Sequence, residues 1–167
     1  MKEVVGLDLS LTSTGVCDAL GNARSYGGDA KVGDKRLTLI GNVLRGMIDI
    51  SPPDLVVIED LPRGAMGGTS SGMVHGIARY LLLESKTPYA LVVPSVLKVY
   101  ATGKGTASKV AMALAAYKRA EVEFLNDDEC DAWWLRAMGL DALGEPLFEL
   151  PASHRKALTK VSWPVLK

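Results

Sequence analysis

Cysteine is nearly absent from this chain: Cys17 and Cys130 are the only two among 167 residues. They lack both metal-ligand spacing and the density of a secreted disulfide scaffold, so reduced thiols are expected. Histidine is equally scarce, and His75 and His154 have no second nitrogen or sulfur ligand at a useful spacing. Long hydrophobic runs are missing too. The longest, such as Tyr89 to Pro94, fall far short of a bilayer span, so no membrane association is expected. Neither charge sign is in excess, with nineteen basic and nineteen acidic residues. That balance argues weakly against a polyanion binder, although the distribution of charge over the surface decides the matter. No internal repeat, low-complexity segment or linker divides the sequence. Met1-Lys2-Glu3 leads straight into strand-like residues, the pattern of a chain without a signal peptide, and a cytoplasmic location is the expectation.

What is present is a good core-forming composition, 48% hydrophobic and 23% charged, enough for one compact domain. Residues 3–9, 14–20 and 24–28 read as three consecutive strands with short connections, which makes an antiparallel meander. From Lys35 the apolar period changes: Leu37, Ile40, Val43, Leu44, Met47 and Ile48 mark an amphipathic helix, ended by Pro52-Pro53. Asp54 to Asp60 is a fourth strand, and Leu61 to Ser71, rich in glycine and small polar residues, a mobile loop. A helix over Met73 to Ser85 and a fifth strand, Tyr89 to Val93, follow. After Pro94 come a short helix from Ser95 to Tyr100, a turn over Thr102 to Thr106 and an alanine-rich helix from Ser108 to Ala120. Asn126 is placed to cap a last helix that runs to about Leu140. This order predicts an α/β architecture, a five-stranded mixed sheet flanked by helices. The tail 145–167, with three prolines and the basic cluster His154-Arg155-Lys156, reads as a surface-packed or mobile appendage to a domain over 1–144.

Chemistry enters through the carboxylates. The apolar run Val4-Val5-Gly6-Leu7 stops at Asp8, in a strand expected at the centre of the sheet, where an acid needs a partner. The fourth strand likewise ends at Glu59-Asp60. If it lies parallel to the first, as a crossover helix favours, one of these two acids stands beside Asp8, and strand alternation alone leaves both open. Asp128 and Asp131 lie three apart on one face of the last helix, with Asp127 an alternative at four. Acids gathered this way repel one another unless a divalent cation sits among them. Oxygen-only ligands suit Mg²⁺ or Mn²⁺, and paired ions of this kind serve phosphodiester chemistry.

Three segments in order resemble one family: Gly6-Leu7-Asp8-Leu9-Ser10 followed by Thr14-Gly15; Ile58-Glu59; and Asp128-Glu129-Cys130-Asp131-Ala132. A fourth, Pro94-Ser95-Val96-Leu97-Lys98 with Thr102-Gly103-Lys104-Gly105-Thr106-Ala107-Ser108-Lys109, agrees with it. The sequence resembles the RuvC-type Holliday junction resolvases of the RNase H-like superfamily, in particular the small phage versions. The resemblance covers residues 4 to about 140. It implies an RNase H-like fold and a homodimeric endonuclease with two Mg²⁺ ions per site, Mn²⁺ able to substitute, that nicks four-way junctions, forks or flaps and leaves 5′-phosphate and 3′-hydroxyl ends. Asp8, Glu59, Asp128 and Asp131 take the catalytic and metal-ligand positions. Lys98, Gly103, Lys104, Gly105, Lys109 and Arg63 take positions near the DNA, and no nucleotide cofactor is implied. The family's aromatic wedge after the second acid is replaced here by Leu61, Pro62, Arg63 and Met66.

Blander roles stand beside these. Asp8 would serve equally as a strand-end acid bonded to the Ser10–Thr14 turn, and Asp127, Asp128 and Glu129 as helix N-terminal acids. Lys98 and Lys109 have the alternative of solvated surface lysines. Trp133 and Trp134 are expected in core or dimer packing, and His75 and His154 at the surface or in weak DNA contacts. Two rival functions are a catalytically inactive RNase H-like module that binds DNA or protein, and an ATP-binding domain of the sugar kinase, Hsp70 and actin type. The second needs two such domains, which 167 residues do not supply.

Overall fold

A computed structural model describes residues 2–27, 34–61 and 68–166. Its sheet has five strands, β1 (Val4–Asp8), β2 (Ser13–Cys17), β3 (Ala23–Gly27), β4 (Leu55–Glu59) and β5 (Tyr89–Val92), in the order β3-β2-β1-β4-β5. The first three form the expected antiparallel meander. The other two run parallel to β1, because each is reached through a helix: α1 (Lys35–Ile50) and α2 (Gly68–Glu84). α2 begins inside the segment expected to be loop. Gly68-Thr69-Ser70-Ser71 carries no apolar period, so a helical end built from it leaves no signature in the sequence. The remaining helices are α3 (Pro94–Thr102), α4 (Lys109–Ala120), α5 (Asp127–Ala142) and the single turn α6 (Ala152–Arg155), continued by a 3-10 turn over Lys156–Lys160.

Strand alternation divides the core in two. Val5, Leu7, Val56 and Ile58 pack with Ile40 and Leu44 of α1 and Val74, Ala78, Leu81 and Leu82 of α2. Val4, Leu55, Val57, Ala90 and Val92 face the other way, onto α5 and then α3, α4 and the tail. From Glu129 to Asp141 every residue of α5 except Asp131 is buried, so this helix is covered on all sides. The tail supplies part of the cover. Ala157 and Val161 are buried in the same cluster, with Phe148, Leu150, Leu158 and Trp163 packed against it. Arg155 fastens the tail through Nε and Nη2 to the two oxygens of Asp141, at 3.1 and 2.6 Å, and Tyr100 donates its hydroxyl to the same carboxylate. Trp133 and Trp134 are core residues, stacked on and edged against Phe148 respectively. Both cysteines are free and buried.

α5 approaches the sheet closer than any side chain permits. A Cβ on Gly6 would collide with the carbonyl oxygen of Ala132, and one on Gly15 with that of Asp128. Gly6→Ala should therefore destabilise the protein by about 3 kcal/mol, as overpacking of a close backbone contact does. Urea unfolding measures this, and an unchanged midpoint would show that α5 can back away freely.

Candidate active site

The site lies where the parallel strands end. β1 and β4 pair in register up to Leu7 opposite Ile58, so the next residues, Asp8 and Glu59, emerge side by side. The ambiguity between Glu59 and Asp60 is settled by the faces of the sheet. Leu55 and Val57 face α5, which puts Glu59 on that side by alternation; Asp60 faces α2, where Arg79 stands 3.6 Å from it. α5 starts over the same spot. Asn126 caps it, its side chain accepting from the Glu129 amide at 3.0 Å, and the following turn carries Asp127, Asp128 and Asp131.

Asp8, Glu59, Asp127, Asp128 and Asp131 together line a cavity of about 190 Å³, closed further by Lys98, Lys109, Pro94 and Met112. Lys109 forms an ion pair with Asp127, which leaves Asp128 and Asp131 as the acids turned toward Asp8. Among the described residues no hydrogen bond ends on the carboxylates of Asp8, Glu59, Asp128 or Asp131. Burial pushes the Asp8 carboxyl up to about 7, with the Asp131 and Asp128 carboxylates adding to the effect and Lys109 opposing it. Glu59 is pushed up to about 8 by burial, then by Asp8 and Asp131, against Lys98 and Lys109. Asp131 rises to about 6, again through burial, with both lysines opposing and Asp128 reinforcing. These are strongly frustrated acids.

Other expected site residues stand apart from this cavity. The Gly103 amide donates to Val99 O at 2.8 Å as the cap of α3, so it is not available to a phosphate. Gly103 is required there by a φ of +80° and by the His154 ring against its α-carbon. Lys104 and Gly105 follow in the exposed turn, where the Lys104 amide is already bonded to Thr102 Oγ1. Arg63, Pro62 and Met66 lie outside the described residues. Of the two histidines, His75 is buried and His154 is partly exposed. His154 places Nδ1 3.1 Å from Tyr100 O. His75, a residue of α2, is buried, and burial followed by the Arg79 guanidinium holds its pKa below the ordinary range. Glu129 is no exposed helix-end acid: it accepts from the Ser25 and Leu125 amides and ties β3 to α5. Three hydroxyls of the Ser10–Thr14 turn are bonded within the turn, Thr14 Oγ1 to Ser10 O at 2.6 Å and Ser10 Oγ to Thr12 Oγ1 at 2.9 Å.

No family model matches the sequence. The structure is similar to Thermus thermophilus RuvC in complex with a Holliday junction substrate, with a TM-score of 0.69 over 81% of this chain and 91% of that one, at 18% identity. A second Thermus thermophilus RuvC structure gives a TM-score of 0.69 over 86% and 97% of the two chains, at 17% identity. The chain has the RuvC fold. Its α/β arrangement and mixed five-stranded sheet are those expected from the sequence.

Within this RuvC fold the donor set fits a hard divalent cation: carboxylate oxygens only, on four side chains without internal hydrogen bonds. As they stand, no group of three or more His, Cys, Asp or Glu side chains among the described residues is closed enough to hold an ion. The carboxylates share walls, not a centre.

The raised acids predict how stability depends on pH. Unfolded carboxyls titrate near 4, whereas Asp131, Asp8 and Glu59 hold protons to about 6, 7 and 8. In that window the folded state binds more protons, so this stabilisation is complete below the unfolded values and is lost as pH rises. In chelator the melting temperature should fall by about 5 °C or more between about pH 5.5 and about pH 8.5. Glu59→Gln should flatten the fall, and an equal fall in the variant would contradict the assignment.

Proposed function

We propose that the chain is a metal-dependent, structure-selective endodeoxyribonuclease that nicks four-way or related branched DNA. The observation that carries this reading is the convergence of Asp8, Glu59, Asp128 and Asp131 with two lysines on one cavity at the strand ends of a RuvC fold. One of the similar structures is a RuvC bound to a Holliday junction substrate, which supports branched DNA as the substrate class.

In this reading the four carboxylates hold two Mg²⁺ ions, with Mn²⁺ as a substitute. Bound there, such ions supply activation of a water for in-line attack and neutralise charge on the leaving 3′ oxygen, leaving 5′-phosphate and 3′-hydroxyl ends. Asp8 and Glu59 are the fixed ligands, since each is the last residue of a central strand and has little freedom to move. Asp128 and Asp131 approach from α5, one turn apart. Lys98 and Lys109 hold positive charge at the rim, where they attract the scissile phosphate and offset charge that grows during attack. Lys104, on the neighbouring turn, meets the adjoining backbone. Paired nicks need two sites, so the active species is a homodimer. The exposed Met73, Tyr80 and Leu83 of α2 form an apolar stripe that supports such pairing.

Labelled four-way junction incubated with Mg²⁺ should be nicked, and Asp8→Asn or Glu59→Gln should lower the rate by about 100-fold or more. In chelator, junction binding by the same variants should stay equal or tighten, because with no metal to lose, removing negative charge near phosphates cannot weaken their attraction. Absence of nicking in Mg²⁺ and in Mn²⁺ on junction, fork and flap would overturn the reading.

A further inference from the structure

A second cavity, about 770 Å³, opens at the other end of β1 from Asp8, between the sheet and α1. Its walls are apolar, from Val5, Tyr26, Val43 and Met47. Leu20 and Ile50 stand at its mouth, 87% and 88% exposed, an unusual placement for two aliphatic side chains unless they serve a contact. Arg136 of α5 reaches into this cavity although its residue is only 4% exposed. Nη2 donates to Ala19 O at 2.6 Å, while Nε is buried without any partner. No carboxylate among the described residues stands within ion-pair distance of it.

The acids that share the cavity are committed elsewhere. Asp18 accepts from the Leu20 and Asn22 amides and from the Asn22 side chain, holding the β2–β3 turn. Glu3 takes the Ser51 hydroxyl, and Lys2 is paired with Asp54. A guanidinium so deeply buried, with a donor free and no carboxylate in contact, keeps its charge in a poorly solvated place. Its position resembles the polar anchor of a small-molecule pocket: one charged group inside apolar walls, in a volume of the usual size.

We infer that this cavity binds a small amphipathic monocarboxylate, an apolar chain or ring with one acid group, whose carboxylate accepts from Arg136. Nη1, which takes part in no hydrogen bond and is not among the enclosed polar atoms, is the donor that suits a monoanion, and the apolar walls suit the body behind it. The site lies at the opposite end of the sheet from the four carboxylates and does not depend on the nuclease reading.

Calorimetric titration of the full chain with decanoate and with decanol separates the anchor from the walls. Decanoate should bind at least about tenfold tighter than decanol, the worth of a charge-assisted hydrogen bond to a buried group. Arg136→Met should erase that preference. Gly46→Phe is an independent probe, because Gly46 lines the cavity from α1 and a side chain there meets nothing within 4 Å. A phenyl group there should weaken binding of both compounds. Equal affinity for the two compounds, no decanoate binding, undiminished decanoate binding in Gly46→Phe, or an unchanged preference in folded Arg136→Met would each overturn the inference.

Discussion

Helix α5 crosses β1 and β2 so closely that neither strand can carry a side chain at the crossing. Gly6 and Gly15 make this contact possible, and the rest of the structure follows from it. Because the carbonyls of Ala132 and Asp128 rest against those two glycines, the first turn of α5 is fixed above the end of β1. Asp128 and Asp131 are thereby held over Asp8, and the parallel pairing of β4 brings Glu59 to the same place. A helix pressed this deep is enclosed nearly all round, and its buried polar residues Glu129, Arg136 and Asp141 are each bonded within the fold. Its outer face is then covered by α3, α4 and the tail, which the Arg155–Asp141 pair fastens in place.

Much of this was legible in the sequence because it is local. Apolar runs that stop at an acid marked the ends of β1 and β4, and changes of period marked α1 and the meander. The choice between Glu59 and Asp60 was not local. A period of two says that they face opposite sides, but not which side carries α5; that depends on Val57 and Ile58 packing into different halves of the core, and on Arg79 meeting Asp60. Gly6 and Gly15 were visible as motif residues, whereas their steric reason exists only once α5 is docked. Buried polar residues were the least legible. His75, Glu129 and Arg136 look like ordinary surface residues in the chain, and only the packed structure shows each enclosed. Gly103 looked open to a phosphate because glycine has no side chain to obstruct one, yet its amide closes a helix.

The two ends of β1 pose opposite electrostatic problems. At the end marked by Asp8, several carboxylates are gathered where their charge is poorly solvated, and their protonation is shifted upward as a result. At the other end, one guanidinium is enclosed with no carboxylate in contact among the described residues. Excess acid calls for a cation, and excess base for an anion. Both sets of charged groups lie in cavities open to solvent.

The central claim is that Asp8, Glu59, Asp128 and Asp131 form one divalent-cation site. Crystals soaked in Mn²⁺ and measured for anomalous scattering test it most directly. The account predicts two manganese peaks about 4 Å apart or less, lying between the strand-end acids and those of α5. Manganese bound only at other acids of the chain, with this cavity empty, would contradict it.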